Sequence, residues 1–346
     1  MSHACHFFGL SGLYARFRAT VNNIVTATFV CDRRTLPFRT EFSLAGTRCL
    51  LSTNSHNALR LSMPWQSVLN GCGANFFQMK IIESAAFESE ASALPHFRGL
   101  GHLVFAMLGS KGFLNFDLLR RRVIGVLPPA AARDAHFWNT QLLPMTIGLL
   151  GTTVGVAPLH CACLDRDGSG LLVAGNSGAG KSTLTAALAK RGFAVVSDDW
   201  TYIRCQADKL LAHGMFAPVK LLPDTIRYFP ELRHAEAKKT MNGEIAHEVD
   251  PTKMFRSKVK AQSDPKWILI LERTRVAGCS FVPCRPETLT QFFEKNAEKL
   301  PQELPEALRM RSGIIRQLSA CDCWVLRTGE DPMQTAAAID TFLSEM

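Results

Sequence analysis

An α/β phosphate-loop domain preceded by a smaller, β-rich or α+β N-terminal domain is the fold the sequence predicts, and three observations predict it. Residues 170–200, GLLVAGNSGAGKSTLTAALAKRGFAVVSDDW, run from an apolar segment through a glycine loop into a stretch with helical spacing and then a second apolar segment. Beyond it, strand-like apolar runs alternate with amphipathic helical patterns, the signature of an α/β unit. Before residue 130 the chain reads instead as short extended pieces between turns, with weak helical periodicity. At 346 residues and 47% hydrophobic content the chain can bury a full core and has the length of two domains, at roughly 100–200 residues each. The boundaries that follow are 1–130 for the N-terminal domain, 131–150 for a linker and connecting helix, and 151–346 for the phosphate-loop domain.

The elements justify themselves in order. NNIVTATFVCD (22–32), RCLLSTN (48–54), FFQMKIIES (76–84) and RRRVIGVLP (120–128) carry the β-branched and aromatic content of strands. Residues 128–150 open with prolines and become apolar at helical spacing, which marks the connecting helix. Two apolar runs flank Asp165-Arg166-Asp167-Gly168-Ser169-Gly170, a hairpin signal whose second strand delivers the chain to the glycine loop. KSTLTAALAKRG (181–192) is a helix closed by Gly192, and FAVVSDDW (193–200) a buried strand ending in acids. TYIRC with KLLAHGM forms another hairpin, KWILILER and CDCWVLR are strands, and the stretches 287–300, 305–318 and 332–346 are helices.

Composition excludes several classes. Charged residues make up 20% of the chain and no segment is of low complexity, which excludes a largely disordered protein. The net charge of +9 suits anionic ligands, but the basic residues are spread along the chain and form no dense tail, so phosphate-bearing nucleotides or acidic peptides are expected in place of nucleic acid. Arg227, Arg233, Lys238, Lys239, Lys253, Arg256, Lys258 and Lys260 follow the acid pair and offer either a phosphate or acceptor clamp or a solvated lobe. Eleven cysteines in a chain with a nucleotide motif point to reduced thiols and a cytoplasmic setting. Three groups (His3, Cys5 and His6; Cys161 and Cys163; Cys321 and Cys323) have residue types that can ligate metal, but buried structural thiols are the expectation for the C-x-C pairs. The N-terminus has no basic region, long apolar region and cleavage site in succession, so no secretory leader is expected. Residues 135–164 contain no Asp, Glu, Lys or Arg and have the length of a membrane span, yet Pro144, Pro158, Gly148, Gly151 and Gly155 interrupt them. A buried helix followed by a strand is expected there.

The strongest chemical signal is Gly175-Asn176-Ser177-Gly178-Ala179-Gly180-Lys181-Ser182, followed by Thr183, a complete G-x-x-x-x-G-K-[ST] loop between a predicted strand and a predicted helix. The glycines let backbone N–H groups turn toward a polyphosphate, and the helix N-terminus adds partial positive charge. Lys181 would reach the β- and γ-phosphates of ATP, and Ser182 would give its hydroxyl to Mg²⁺. Asp198 and Asp199 end the next strand, where adjacent carboxylates face opposite ways: one can take a proton from an incoming hydroxyl while the other orients metal or backbone. The strand carrying them is expected beside or near the loop strand. His160, before the hairpin, is expected to return alongside the phosphates. There is no N-K-x-D element of a GTPase and no LSGGQ-like element of an ABC ATPase, and Glu272 at the end of WILILE is read as a solvated strand terminus.

His160, GNSGAGKS, KRGF and SDDW, in that order, resemble the catalytic domain of HPr kinase/phosphorylase, the bacterial enzyme that phosphorylates a serine on a small carrier protein. The likeness covers about residues 157–203. It implies a C-terminal-like P-loop kinase fold, ATP and Mg²⁺, proton transfer assisted by His160, phosphate and metal handled by Lys181 and Ser182, Asp198 as general base and Asp199 in support. Where the family has an Arg-Gly-Leu-Gly segment and a metal-holding glutamate, this chain has FAPVKLLPDTIRYF (216–229), with Asp224 as candidate metal carboxylate alongside Asp199 and Ser182. The implied activity is phosphoryl transfer from ATP to a serine of a protein or peptide, in a homo-oligomer. A metabolite kinase of the adenylylsulfate type, or a nucleotide-sensing module without transfer chemistry, are the alternative readings.

Overall fold

The computed structural model describes residues 35–68, 76–85, 96–206, 209–215, 218–240, 244–274, 278–297 and 304–346. The predicted strand at 22–32 and the His3, Cys5, His6 group lie outside the described residues. Alternating burial along Thr47–Thr53 and Arg122–Leu127 puts one face of each strand on a core and the other toward solvent. Among the described residues seven strands form the first sheet: β1 (Phe38–Leu44), β2 (Thr47–Thr53), β3 (Phe76–Glu83), β4 (His96–Leu100), β5 (Leu103–Met107), β6 (Phe113–Asp117) and β7 (Arg122–Leu127). Their order is β1-β2-β3-β7-β6-β5-β4, with β3 parallel to both β2 and β7 and the other pairs antiparallel. Helix α1 (His56–Ser62), capped by the Ser55 hydroxyl, packs against β1.

The stretch after β7 buries one side in a core shared by both sheets. It passes through short helical turns and a π-helical turn at Trp138–Leu142 into α2 (Leu143–Leu150), and a 3-10 turn then ends at Gly155 with φ 85°. Phe137, Trp138, Leu142, Leu143 and Ile147 join Phe42, Phe77 and Met79 of the first sheet in one hydrophobic core, which also takes in Tyr202, Met215, Leu304 and Ala307 from the rest of the chain. Among the described residues no helix is long and apolar enough to cross a membrane. Helix plus strand, as expected, replaces a span in 135–164.

The second sheet has nine strands. β8 (Val156–Leu159), β9 (Cys161–Arg166), β10 (Ser169–Gly175), β11 (Ala194–Ser197), β12 (Thr201–Gln206) and β13 (Lys209–His213) precede a small three-stranded sheet of β14 (Val219–Leu221), β15 (Ala237–Lys239) and β16 (Ile245–Val249). β17 (Gln262–Arg273), β18 (Ser280–Pro283) and β19 (Asp322–Thr328) complete the large sheet, ordered β11-β9-β10-β17-β13-β12-β8 with β19 on β17 and β18 on β19. β9 and β10 form the predicted hairpin, and its two-residue turn, Asp167-Gly168, has φ of 52° and 94° as the twist of a tight hairpin requires. β10, β17 and β19 run parallel.

Side chains alternate across this sheet, so its two faces take different helices. Leu164, Leu171 and Val173 pack with α3 (Lys181–Lys190) and the C-terminal α6 (Pro332–Ser344), through Leu184, Leu188, Ile339 and Leu343. Cys163, Leu172 and Ala174 pack with α4 (Pro286–Lys295) and α5 (Pro305–Gln317), through Leu289, Phe293, Ile314 and Ile315. The architecture is therefore mixed α/β, as predicted. β11 pairs with β9, so the strand before the acids lies near the loop strand, as expected, with one neighbour between them. The hairpin inserts β9 between them.

Candidate active site

The loop between β10 and α3 is shaped by its glycines. Gly178 and Gly180 have φ of 78° and 97°, left-handed values that side-chained residues rarely adopt, and Gly180 caps α3. A Cβ at Gly175 would stand 3.0 Å from the Ala179 Cβ and 3.2 Å from the Leu271 Cβ, so the loop folds closely over the end of β17. Lys181 opens α3 with its side chain turned inward, 8% exposed, donating from Nζ to the Gly175 carbonyl at 3.0 Å. Burial lowers its pKa, while Asp199, Cys161 and Asp198 draw it back up. Ser182 and Thr183 are half-buried on the same turn, and Asn176, Ser177 and Gly178 are exposed at the tip.

The acid pair reaches this loop by a different route from the one its strand suggests. β11 ends at Ser197, and the chain turns through Asp198-Asp199-Trp200 into β12. The Thr201 hydroxyl bonds the Ser197 hydroxyl at 2.6 Å and donates to the Cys161 carbonyl at 2.7 Å, tying the turn to the start of β9. β12 pairs with β8, placing Thr201 opposite Leu159. His160, at the joint between β8 and β9, therefore meets the turn directly: Nε2 lies 3.0 Å from Asp199 Oδ1, and the imidazole stacks on Trp200 with centroids 5.4 Å apart.

The two carboxylates do diverge. Asp198 is 6% exposed; its Oδ2 accepts from the Lys220 amide at 3.1 Å, and its Oδ1 is buried with no hydrogen-bond partner. Burial and the adjacent Asp199 charge push its pKa up to about 6, against the Lys220 amide and the Ser182 hydroxyl, which pull it down. Asp199 is half-exposed. Burial would raise its pKa, but the hydrogen bond and charge of His160, with Lys220 and Lys181, hold it below the usual carboxylate range.

His160, Lys181, Ser182, Asp198, Asp199 and Asp224 all line one cavity of about 610 Å³. Asp224 sits on an exposed 3-10 turn at its rim. Of the basic group, Arg227 lines the cavity, whereas Lys260 bonds Asp165 at the opposite end of the β9–β10 hairpin and is structural. Glu272 points away and pairs with Arg327, as a strand terminus would. Among the described residues no three His, Cys, Asp or Glu side chains gather as metal ligands, and Cys161 and Cys163 are buried free thiols.

Sequence reasoning missed Lys220 and Trp200. Trp200 had a signal, since it adjoins the acid pair. Lys220 had none: it comes from the small sheet, and only its backbone N–H identifies it with Asp198.

Over 119 residues the chain is 35% identical to the HPr kinase/phosphorylase of Exiguobacterium sp. strain AT1b, a match covering 34% of this chain and 32% of that protein. The chain thus matches about a third of the length of that relative. The solved structure of the HPr(Ser) kinase/phosphatase of Coxiella burnetii aligns with a TM-score of 0.29 at 14% identity, over 54% of this chain and 88% of the other. No protein-family model matches the chain. The matched stretch is similar to HPr kinase/phosphorylase, the family the motifs resemble.

Proposed function

We propose that this protein is an ATP-dependent kinase that transfers the γ-phosphoryl group to a serine hydroxyl of a protein or peptide. One observation carries the reading: a buried carboxylate with an unpaired oxygen, Asp198, lies in the same cavity as the phosphate loop, Lys181 and the His160–Asp199 pair. A structural aspartate would have both oxygens paired or solvated.

The loop amides and the α3 N-terminus hold the β- and γ-phosphates, and Lys181 neutralises their charge. Asp198 accepts the proton of the incoming hydroxyl as the new O–P bond forms and the bond to the β-phosphate oxygen breaks, releasing ADP. With a pKa near 6, Asp198 is ionised at neutral pH yet basic enough to take that proton. Asp199 fixes the imidazole of His160 beside the cavity, where it can hold or return a proton. The Ser182 hydroxyl and the Asp199 carboxylate are hard oxygen donors of the kind Mg²⁺ takes, with Asp224 at the rim as a further candidate. When bound, Mg²⁺ would neutralise charge developing on the phosphates. A cytoplasmic, homo-oligomeric protein remains part of the proposal.

The test is to incubate the protein with γ-labelled ATP, Mg²⁺ and a lysate of its native host and to identify the labelled species. Phosphoserine in a polypeptide is expected. Label confined to a metabolite would replace this reading with that of a small-molecule kinase, and nucleotide binding with no transfer would leave only a sensing module.

A further inference from the structure

Asp198, Asp199, Trp200 and Lys220 form a wall with a cavity on each side. One is the phosphate-loop cavity; the other, of about 630 Å³, is bounded by the first sheet, helix α2 and the acid turn. Volumes of this size hold small ligands or a few side chains, not a folded domain. The second cavity is chemically lopsided. Asp198, Asp199 and Lys220 stand on the side toward the phosphate loop, whereas Phe97, Val104 and Leu118 of the N-terminal part and Pro144, Met145 and Leu149 of α2 make the rest of the lining mainly apolar, interrupted by Thr140, Gln141, Thr152 and Arg311.

Helix α2 is built to leave this space open. Pro144, Met145, Gly148, Leu149 and Thr152 recur at helical spacing along the side facing the cavity, and Met145 and Leu149 are only half-buried although their neighbours Ile147 and Leu150 are sealed in the core. Gly148 is the telling position. Glycine inside a helix costs about 1 kcal/mol relative to alanine. Its φ is not in the left-handed range, and a Cβ there would meet nothing within 4 Å. Neither backbone conformation nor close packing calls for glycine, so what its missing side chain preserves is room in the cavity.

We infer that this second cavity is the acceptor site, and that it takes a peptide segment whose serine is flanked by an apolar side chain. The serine hydroxyl meets the Asp198 carboxylate at the wall's acid end, and the apolar neighbour lies against Met145, Leu149 and Phe97. This rests on the kinase reading above and deepens it, because the recognition comes from the N-terminal part and α2, outside the phosphate loop. A polar metabolite would leave hydrogen-bonding groups unpaired where it lay against Phe97, Met145 and Leu149.

The experiment uses the full chain, ATP, Mg²⁺ and synthetic peptides of one backbone with a single central serine, flanked by leucine or phenylalanine, by alanine, or by aspartate or lysine. Transfer is measured for the wild type, Gly148→Ala and Gly148→Phe, with nucleotide Kd and Tm measured alongside. The expected result is a kcat/KM at least about 10-fold higher for the apolar-flanked peptides than for the charged ones, the usual scale of hydrophobic discrimination. Gly148→Phe should raise their KM about 10-fold or more without moving the nucleotide Kd, and Gly148→Ala should fall between. Equal transfer to all peptides, or a well-folded Gly148→Phe with unchanged KM, overturns the acceptor-site inference and leaves the kinase reading standing. No transfer to any peptide with nucleotide binding intact overturns the acceptor-site inference, and the lysate labelling above then decides the kinase reading. If Gly148→Phe does not fold, the flank preference of the wild type decides alone.

Discussion

Nε2 of His160 lies 3.0 Å from Oδ1 of Asp199, joining the bend between β8 and β9 to the turn between β11 and β12. The pair separates the duties of the two adjacent acids: Asp199 is engaged by the imidazole, and Asp198 keeps one oxygen unpaired.

Asp199→Asn tests that division. Removing its charge takes away one of the effects that raise the Asp198 pKa, so Asp198 should titrate lower. The acid limb of the transfer-rate profile should move to lower pH, with kcat reduced about 10- to 100-fold through loss of His160 positioning. An acid limb that stays in place would show that Asp198 is not the group being titrated.

Asp198→Asn should retain nucleotide binding and lose about 10²- to 10⁴-fold in transfer rate, the range for a general base. Single-turnover rates with saturating ATP measure this directly, and normal phosphorylation of the acceptor would reject the assignment.

The same residue should leave a mark on stability. Its folded pKa of about 6 lies above the ordinary 3.8, so the folded state binds the proton more tightly and stability falls as pH rises through that window. The difference of about two units corresponds to about 3 kcal/mol. Asp198→Asn, which has no charge to bury, should therefore be more stable than wild type above pH 6, with the gap closing toward pH 4. Urea melts of the nucleotide-free protein at pH 4.5 and 7.5 would settle it; a constant gap would mean the carboxylate is not destabilised by burial.

Lys181→Met should weaken ATP binding about 10- to 100-fold, the scale of a hydrogen-bonded charge lost from phosphate. Titration with a fluorescent nucleotide reads this out, and an unchanged Kd would place the phosphates elsewhere.

Trp138→Ala should cost about 3–5 kcal/mol, the scale of a large aromatic deleted from a core. Because Trp138 shares one core with both the first sheet and Tyr202, the whole chain should melt in one transition at lower temperature. Two separate transitions, with only one shifted, would show that the halves fold independently.

The local sequence determined the parts whose forces are local. Asp167-Gly168 dictated the hairpin, the glycines and Lys181 dictated the loop at the head of α3, and Gly192 its end, because turn conformation and helix capping depend on residues a few positions apart. Apolar periodicity marked the strands and helices of the phosphate-loop domain for the same reason. What only the tertiary structure decided is which of these parts meet. That β11 pairs with β9, that Thr201 draws the acid turn onto the start of β9, and that Lys220 arrives from a separate sheet are pairings between distant segments. The opening beside Gly148 belongs to the same class, since it exists between the first sheet, α2 and the acid turn and in none of them alone. Strand order and cavity shape follow from burying all the apolar faces at once, a condition on the whole chain that no short window of residues contains.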